Sequence, residues 1–489
     1  MLPRASLLSL FAGLAKGASD CYPLAPSTTG DSLTIIKNGE TPNGFLNAAK
    51  GWNSWGVQAS PRTTPSYPMS IYPLVNQEFI IEQCTVLADP DILAAGWDLC
   101  SVDGGWYSSM TDNHGRLVYN STLFNIPKLS DYLHSLGLKL GLYSQPGTPC
   151  EAANKFIHGT NITVGSTFSG DEDINGNCYF DYTNPDTQLY HDSLLALWAS
   201  WGVDMIKLDY ITPGSIIGNA GYPADTSASA TAYHNAIANS GRQIRLDLSA
   251  NLCRAEPYLS IWEESADSIR VAVDINSYGA SVFVGFWRIQ QTIENYRQYV
   301  NQILAKGAGR RMITRPNLDN LFVANPASVT GVTDAQRIML MSFWIGSSSN
   351  LLLGSDMTNI DDLGRRLLIS SSSIAAAKFC NGYPMQPRNP GSGGNEARQL
   401  QAWLSGPSGS GEAYVLLTNL GENLGHGGYV TTDSGVVNMS ISLQELGLKG
   451  RGYTARDVWF GNVRTVAEGG GLSAVLGDGE AAFWRLVPV

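Results

Sequence analysis

The chain reads as an α/β protein, a (β/α)8 TIM barrel followed by a C-terminal antiparallel β-sandwich domain. Three observations predict this. Short apolar runs alternate with helical patterns from residue 97 to residue 355, the rhythm of a parallel sheet wrapped in helices. Beyond residue 380 the pattern changes to short β-type runs between glycine turns. At 489 residues the chain is too long for one ordinary core but fits a barrel plus one companion domain. The expected divisions are a signal peptide over 1–19, the barrel over 20–380, a linker over 381–398 and the β domain over 399–489.

Residues 1–19 carry the marks of an export signal: Arg4 near the start, an apolar run from Leu7 to Ala15, and small residues after it. No later stretch reaches the ~18–20 uninterrupted apolar residues of a membrane span. The barrel strands are expected at Trp97 to Asp103, Leu138 to Ser144, Asp204 to Tyr210, Ile244 to Ala250, Ile269 to Asp274 and Leu351 to Ser355. Between them, Pro127 opens a helix with Leu129, Leu133 and Leu136 on one face and Gly137 at its end. Asn184-Pro185 caps another, whose face is Tyr190, Leu194, Leu197, Trp198 and Trp201 and whose stop is Gly202. Asn381 to Arg398 is rich in Pro, Gly and Asn and reads as a linker. Strands then follow at Ala413 to Leu417, Tyr429 to Thr432, Val436 to Ile441, Tyr453 to Trp459 and Ala481 to Val487.

Composition narrows the function. A net charge of −11 is a poor match for nucleic acid or anionic membranes. Charged residues are only 15%, against a typical ~25%, while Trp (12) and Tyr (21) are plentiful, which suits a neutral-polar surface with aromatic platforms. There is no HExxH, CxxC, Walker A or GxSxG motif, which leaves little for a zinc site and removes several enzyme classes. Sequons at Asn120, Asn161 and Asn438 agree with export. Seven cysteines allow a few bridges with one thiol left over; Cys150 and Cys178, flanking a polar, Gly-rich excursion, are the expected pair.

Working residues of a (β/α)8 barrel lie at the C-terminal strand ends. Those ends offer Trp52 and Trp55, Asp103, Tyr143, Lys207 with Asp209, Ser249 with Asn251, and Arg270 with Asp274. Residues two apart on a strand share a face, so each of the last two acids projects beside a cation. Arg245 and Asp247 also share a face and read as a buried structural pair. Two carboxylates, each with a cation and ringed by aromatics, match glycoside hydrolysis: one attacks the anomeric carbon, the other protonates the leaving oxygen. Taken singly, an Asp at a strand end is more often a helix cap, and the tryptophans more often core. Spacing alone leaves another barrel hydrolase or a lectin-like barrel open.

Beyond spacing, Gly51-Trp-Asn-Ser-Trp55 resembles the first-strand motif of glycoside hydrolase family 27, the α-galactosidases. In the same order follow Val102-Asp-Gly-Gly-Trp106, Leu138-Lys-Leu-Gly-Leu-Tyr143, Trp201-Gly-Val-Asp-Met-Ile-Lys-Leu-Asp209, Arg270-Val-Ala-Val-Asp-Ile275, Met341-Ser-Phe-Trp344 and Leu351-Leu-Leu-Gly-Ser-Asp356. With Gly479 to Val489 matching the last strand, the similarity covers roughly residues 45 to 489. The resemblance implies a secreted retaining exo-glycosidase with Asp209 as nucleophile and Asp274 as general acid/base, and with no metal or organic cofactor. Trp55, Asp103, Tyr143, Lys207 and Arg270 would line the terminal-sugar subsite, and Asn251 belongs to the candidate substrate-binding set. The expected partner is a carbohydrate; nucleic acid and membrane are not, and the oligomeric state is left open.

Three departures bear on specificity. The family's paired aspartates, which grip the 4- and 6-hydroxyls of galactose, become Asp103-Gly104 here; one lost charged acceptor weakens recognition by ~1–3 kcal/mol. The family's cysteine two residues past the nucleophile is Ile211, which frees Cys150 for Cys178. The fifth-strand end, Leu248-Ser-Ala-Asn-Leu252, lacks the family's Cys-Glu-Trp. α-D-Galactosidase is therefore the first expectation. The alternatives are β-L-arabinopyranosidase, whose sugar is galactopyranose without its exocyclic hydroxymethyl, and α-N-acetylgalactosaminidase. A barrel that binds sugar without turnover stands behind them.

Overall fold

The structure is a computed structural model that describes residues 21–22, 33–60, 75–215, 221–276, 283–307, 309–391, 394, 396–431 and 433–489. The expected signal peptide, 1–19, lies outside the described residues. Eight parallel strands form one sheet: β1 (Lys50–Asn53), β2 (Leu99–Val102), β3 (Lys139–Ser144), β4 (Met205–Leu208), β5 (Arg245–Leu248), β6 (Ser268–Arg270), β7 (Arg315–Asn317) and β8 (Leu351–Leu353). β1 to β7 pair in order, and β8 pairs with β1. Between β7 and β8 the ring closes through Asn350 N–H to the Pro316 carbonyl (3.2 Å) and Leu321 N–H to the Leu352 carbonyl (2.7 Å). These strands are buried on both faces, which explains their nearly continuous apolar sequence.

Helices α1 (Gln77–Thr85), α2 (Ile126–Ser135), α3 (Asp186–Ser200), α4 (Ala228–Ser240), α5 (Tyr258–Ser265), α6 (Phe286–Ala305), α7 (Asp334–Gly346) and α8 (Asp362–Ile369) follow β1 to β8 in turn, with α9 (Ser371–Cys380) after α8. Their ends obey local chemistry. The Asn125 carboxamide accepts from Lys128 N–H (3.1 Å) at the start of α2, and Gly137 (φ 79°) stops it. Gly202 (φ 84°) ends α3 in the same way. Strand β7 is absent from the sequence expectation because it is three residues long and contains Pro316, which cannot donate to a ladder.

The second unit is antiparallel. Strands β9 (Gln386–Pro387), β10 (Leu400–Ser405), β11 (Ala413–Asn419), β12 (Val437–Ser442), β13 (Tyr453–Asp457), β14 (Val463–Val466), β15 (Gly471–Leu476) and β16 (Glu480–Pro488) make two sheets, β9-β10-β11-β16-β13-β14 and β12-β15. Alternation divides the larger sheet's side chains between two cores. Trp403, Tyr414, Leu416 and Phe483 join the barrel's core, where the Trp403 ring lies 5.1 Å from Phe343 of α7 and 5.6 Å from Tyr296 of α6. Leu404, Val415, Leu417 and Leu486 instead meet Met439, Ile441 and Leu472 of the smaller sheet.

Two expectations need correction. The stretch read as a linker, 381–398, contributes β9 and buries Arg388 and Asn389. Tyr429 to Thr432 is no strand over its described residues 429–431; the Tyr429 hydroxyl donates to the Gly421 carbonyl (3.1 Å) and the segment docks on α6 through Gln290.

Candidate active site

The C-terminal strand ends converge as barrel geometry requires. On β4, alternation turns Lys207 inward, and register places it between Tyr143 of β3 and Asp247 of β5. Lys207 Nζ donates to Asp103 Oδ2 (2.7 Å) and lies 5.6 Å from the centre of the Tyr143 ring; Lys207 and Asp103 are 12% and 5% exposed. Asp103 N–H donates to Ser54 Oγ (2.8 Å), and Gly104 N–H to Asp103 Oδ1 (2.9 Å), so the carboxylate is aimed by its own turn. Asp209 N–H donates to the Ser144 carbonyl (2.9 Å), and Asp209 Oδ1 accepts from Tyr210 N–H (2.9 Å).

On the far side Arg270, 2% exposed, is shared between two carboxylates. One nitrogen lies 3.0 Å from Asp274 Oδ1 and another 3.1 Å from Asp319 Oδ1. Trp55 Nε1–H completes the Asp274 carboxylate from the first strand (3.2 Å). Asp319 Oδ2 accepts from Ile275 N–H (2.7 Å), which ties the end of β7 to the residue after Asp274.

Each group's ionisation follows from these neighbours. Burial raises the Asp209 pKa; Lys207 opposes this, but the charges of Asp103 and Asp274 help keep it raised. Burial also acts to raise Asp274, yet Arg270, Lys207 and the hydrogen bonds from Arg270 and Trp55 bring it below the usual carboxylate value. Asp319 is pushed up to about 6 by burial despite Arg270. Burial alone would lower Lys207, but Asp103, Asp209 and Asp274 raise it and hold it protonated. Tyr143 is pushed well above its ordinary value by burial and by Asp209, and its hydroxyl accepts from Gln145 Nε2 (2.7 Å), so it stays a neutral phenol.

The structure thus brings Trp55, Asp103, Tyr143, Lys207, Asp209, Arg270 and Asp274 together. Asn251 is different: its amide donates to the Tyr22 hydroxyl (2.6 Å), which Cys21–Cys253 fastens beside it, so its hydrogen bonding serves the N-terminal segment. Arg245 and Asp247 do not form the expected pair. Arg245 lies 3.9 Å over the Phe45 ring, while Asp247 accepts from Ser268, Asn317 and Asn350. Cys150 and Cys178 are bonded (S–S 2.04 Å), as are Cys84 and Cys100, and Cys380 is a buried thiol. Asn161 and Asn438 are exposed, whereas Asn120 is half-buried and accepts from Thr122 Oγ1–H (2.7 Å).

Sequence reasoning missed Asp319 because it missed β7. A signal did exist in Pro316-Asn-Leu-Asp319, where polar residues alternate after a proline as at a strand end.

A closed (β/α)8 barrel whose mouth holds two acids, each in the field of a buried cation, is the arrangement of a barrel glycosidase. Comparison makes the class specific. Residues 72–159 match the family model described as alpha galactosidase A, and residues 397–486 match the alpha galactosidase C-terminal beta sandwich domain. The chain is 59% identical over 405 residues to "Putative alpha-galactosidase 8" of Emericella nidulans, covering 82% of this chain and 80% of that protein. It is 44% identical over 472 residues to alpha-galactosidase 3 of Hypocrea jecorina, covering 96% and 75%. The chain belongs to glycoside hydrolase family 27, the α-galactosidase family, and is a glycoside hydrolase. Among solved structures, the fold is shared with a GH27 β-L-arabinopyranosidase from Geobacillus stearothermophilus in complex with arabinose (TM-score 0.72, 21% identity, 91% of this chain and 98% of that chain). It is shared also with alpha-galactosidase I from Mortierella vinacea (TM-score 0.62, 18% identity, 90% and 97%).

Proposed function

We propose that the protein is an extracellular retaining exo-glycosidase that hydrolyses terminal α-D-galactosyl residues, with Asp209 as nucleophile and Asp274 as general acid/base. The observation that carries this is the pair of carboxylates at the barrel mouth with unequal surroundings: Asp209 lies just past Lys207 with its N–H tied to the Ser144 carbonyl, and Asp274 meets Arg270 and Trp55 with its side chain 41% exposed. Asp209, beside Lys207, suits attack on the anomeric carbon of a sugar seated against Asp103, Lys207 and Tyr143. Asp274, with part of its side chain open to solvent, suits proton transfer to the leaving group. Asp209 attacks as Asp274 gives its proton to the glycosidic oxygen; Asp274 then takes a proton from water, which frees the sugar from Asp209 with net retention. Three disulfides support a working place in an oxidising compartment.

In the resting protein burial raises the Asp209 pKa, while Arg270, Lys207 and Trp55 outweigh burial at Asp274 and lower it. The proposed roles need the proton on Asp274 when the glycosidic bond breaks. A second assignment exchanges the roles of the two acids. Azide rescue separates them. With roles as proposed, Asp209→Gly plus azide yields β-galactosyl azide, and Asp274→Gly plus azide yields the α-anomer; the reverse outcome establishes the exchange.

A second sugar is also supported. Gly104 supplies no side chain where the family places a carboxylate, which suits a pyranose lacking the exocyclic hydroxymethyl. Initial rates on 4-nitrophenyl α-D-galactopyranoside and 4-nitrophenyl β-L-arabinopyranoside decide between them: faster arabinoside turnover overturns the galactosidase assignment.

A further inference from the structure

The residue after Asp209 is a tyrosine in a conformation that tyrosines rarely adopt. Tyr210 has φ 55°, in the left-handed region that favours glycine and asparagine. Strain kept beside a reacting group points to a use for the side chain. The backbone gains the N–H contact to Asp209, which any residue would supply. The ring gains a position that others would not: the Tyr210 phenol feels the charges of Asp209, Asp274 and Lys207, yet is only partly buried. It stacks on Tyr222, with ring centres 5.2 Å apart and planes at 26°.

Tyr222 has its own support. Its ring meets Tyr179 edge-on at 6.4 Å, and the buried Tyr179 hydroxyl donates to Asp173 Oδ2 (3.2 Å). Both residues belong to the hairpin of Phe168–Glu172 and Asn177–Phe180, fastened at Cys178 to Cys150. The Gly-rich excursion therefore buttresses an aromatic surface beside both acids. The two chemical steps proposed above use neither ring.

We propose that Tyr210 and Tyr222 form the leaving-group subsite, a platform for the pyranose ring of a sugar joined through its oxygen to the departing galactosyl group. This rests on the galactosidase reading. A flat, half-exposed ring held by a second ring and a disulfide-closed hairpin offers the C–H face of a pyranose a surface that needs little ordering on binding.

The test compares kcat/KM on 6-O-α-D-galactopyranosyl-D-glucose with kcat/KM on α-D-galactopyranosyl fluoride, which has the same glycosyl group and no ring in its leaving group. Tyr210→Asn keeps a residue suited to the left-handed backbone, and Tyr222→Ala leaves that backbone untouched. In each variant the disaccharide-to-fluoride ratio falls roughly 3- to 10-fold, the range of one aromatic ring contact. An unchanged ratio in either variant overturns the subsite alone. A wild-type enzyme that turns over neither substrate overturns the galactosidase reading and the subsite with it.

Discussion

Asp319→Asn probes the division of labour between the two acids without touching either. Arg270 stands between Asp274 and Asp319, at 3.0 and 3.1 Å. A negative Asp319 favours a proton on Asp274, both by repulsion and by drawing on the same guanidinium. Charges a guanidinium apart, roughly 6–7 Å, interact by about 2.5 kcal/mol at an effective dielectric near 20, or up to ~2 pKa units. Asp319 is pushed up to about 6 and is only partly charged below that pH, which reduces the effect there to about one unit; the proposed mechanism, needing one acid protonated, should run best on the acid side. Asparagine keeps an acceptor for Ile275 N–H and removes the charge. The fraction of enzyme with its proton on Asp274 then falls, and kcat/KM at the pH optimum drops about tenfold. The assay is kcat/KM on 4-nitrophenyl α-D-galactopyranoside against pH, with a thermal melt to confirm folding. A folded variant with unchanged or faster turnover refutes the reasoning: the required proton would then sit on Asp209, and the roles would be exchanged.

Further outcomes follow from the same structure. Gly104→Asp fits without backbone change, since an added Cβ meets nothing nearer than the Tyr143 ring at 3.9 Å; it should move preference toward the galactoside, read as the ratio of the two nitrophenyl substrates. Lys207→Met leaves Asp103 buried without its cation and should cost about 3–5 kcal/mol in urea unfolding. Asp361 is lowered because Arg337 and Gly364 N–H outweigh burial, so its contribution is present above its unfolded pKa of ~3.9 and lost as pH falls through the lower folded value. Asp361→Asn should therefore lower the melting temperature at pH 7 and approach wild type by about pH 2–3. Replacing Cys150 and Cys178 together by serine opens a loop with 28-residue separation and should cost about 3.5 kcal/mol on the chain-entropy model, with faster amide exchange over residues 152–179.

How much of this was legible depends on what carried each signal. The barrel's ends were readable at Lys207-Leu-Asp209 and Arg270 to Asp274 because an inward polar residue on an apolar strand has to be satisfied, and alternation says which residues share a face. The first strand was readable through its tryptophans, of which Trp52 is core and Trp55 reaches Asp274. What escaped lies in contacts distant in sequence. Asp319 became visible only when β7 was placed, and β7 was hidden by Pro316. Asn251 looked like a pocket residue because nothing local reveals that Tyr22, 229 positions away, takes its amide. Arg245 and Asp247 looked paired because they share a strand face, yet the arginine turns to an aromatic ring and the acid is satisfied by three neutral donors from neighbouring strands. Strand periodicity tells which way a side chain points but not which partner waits there. In this barrel the partners of the reacting acids come from first, fourth, sixth and seventh strand ends together. That is why a pair of candidate acids could be proposed from sequence, while the sharing of Arg270 between Asp274 and Asp319 had to await the fold.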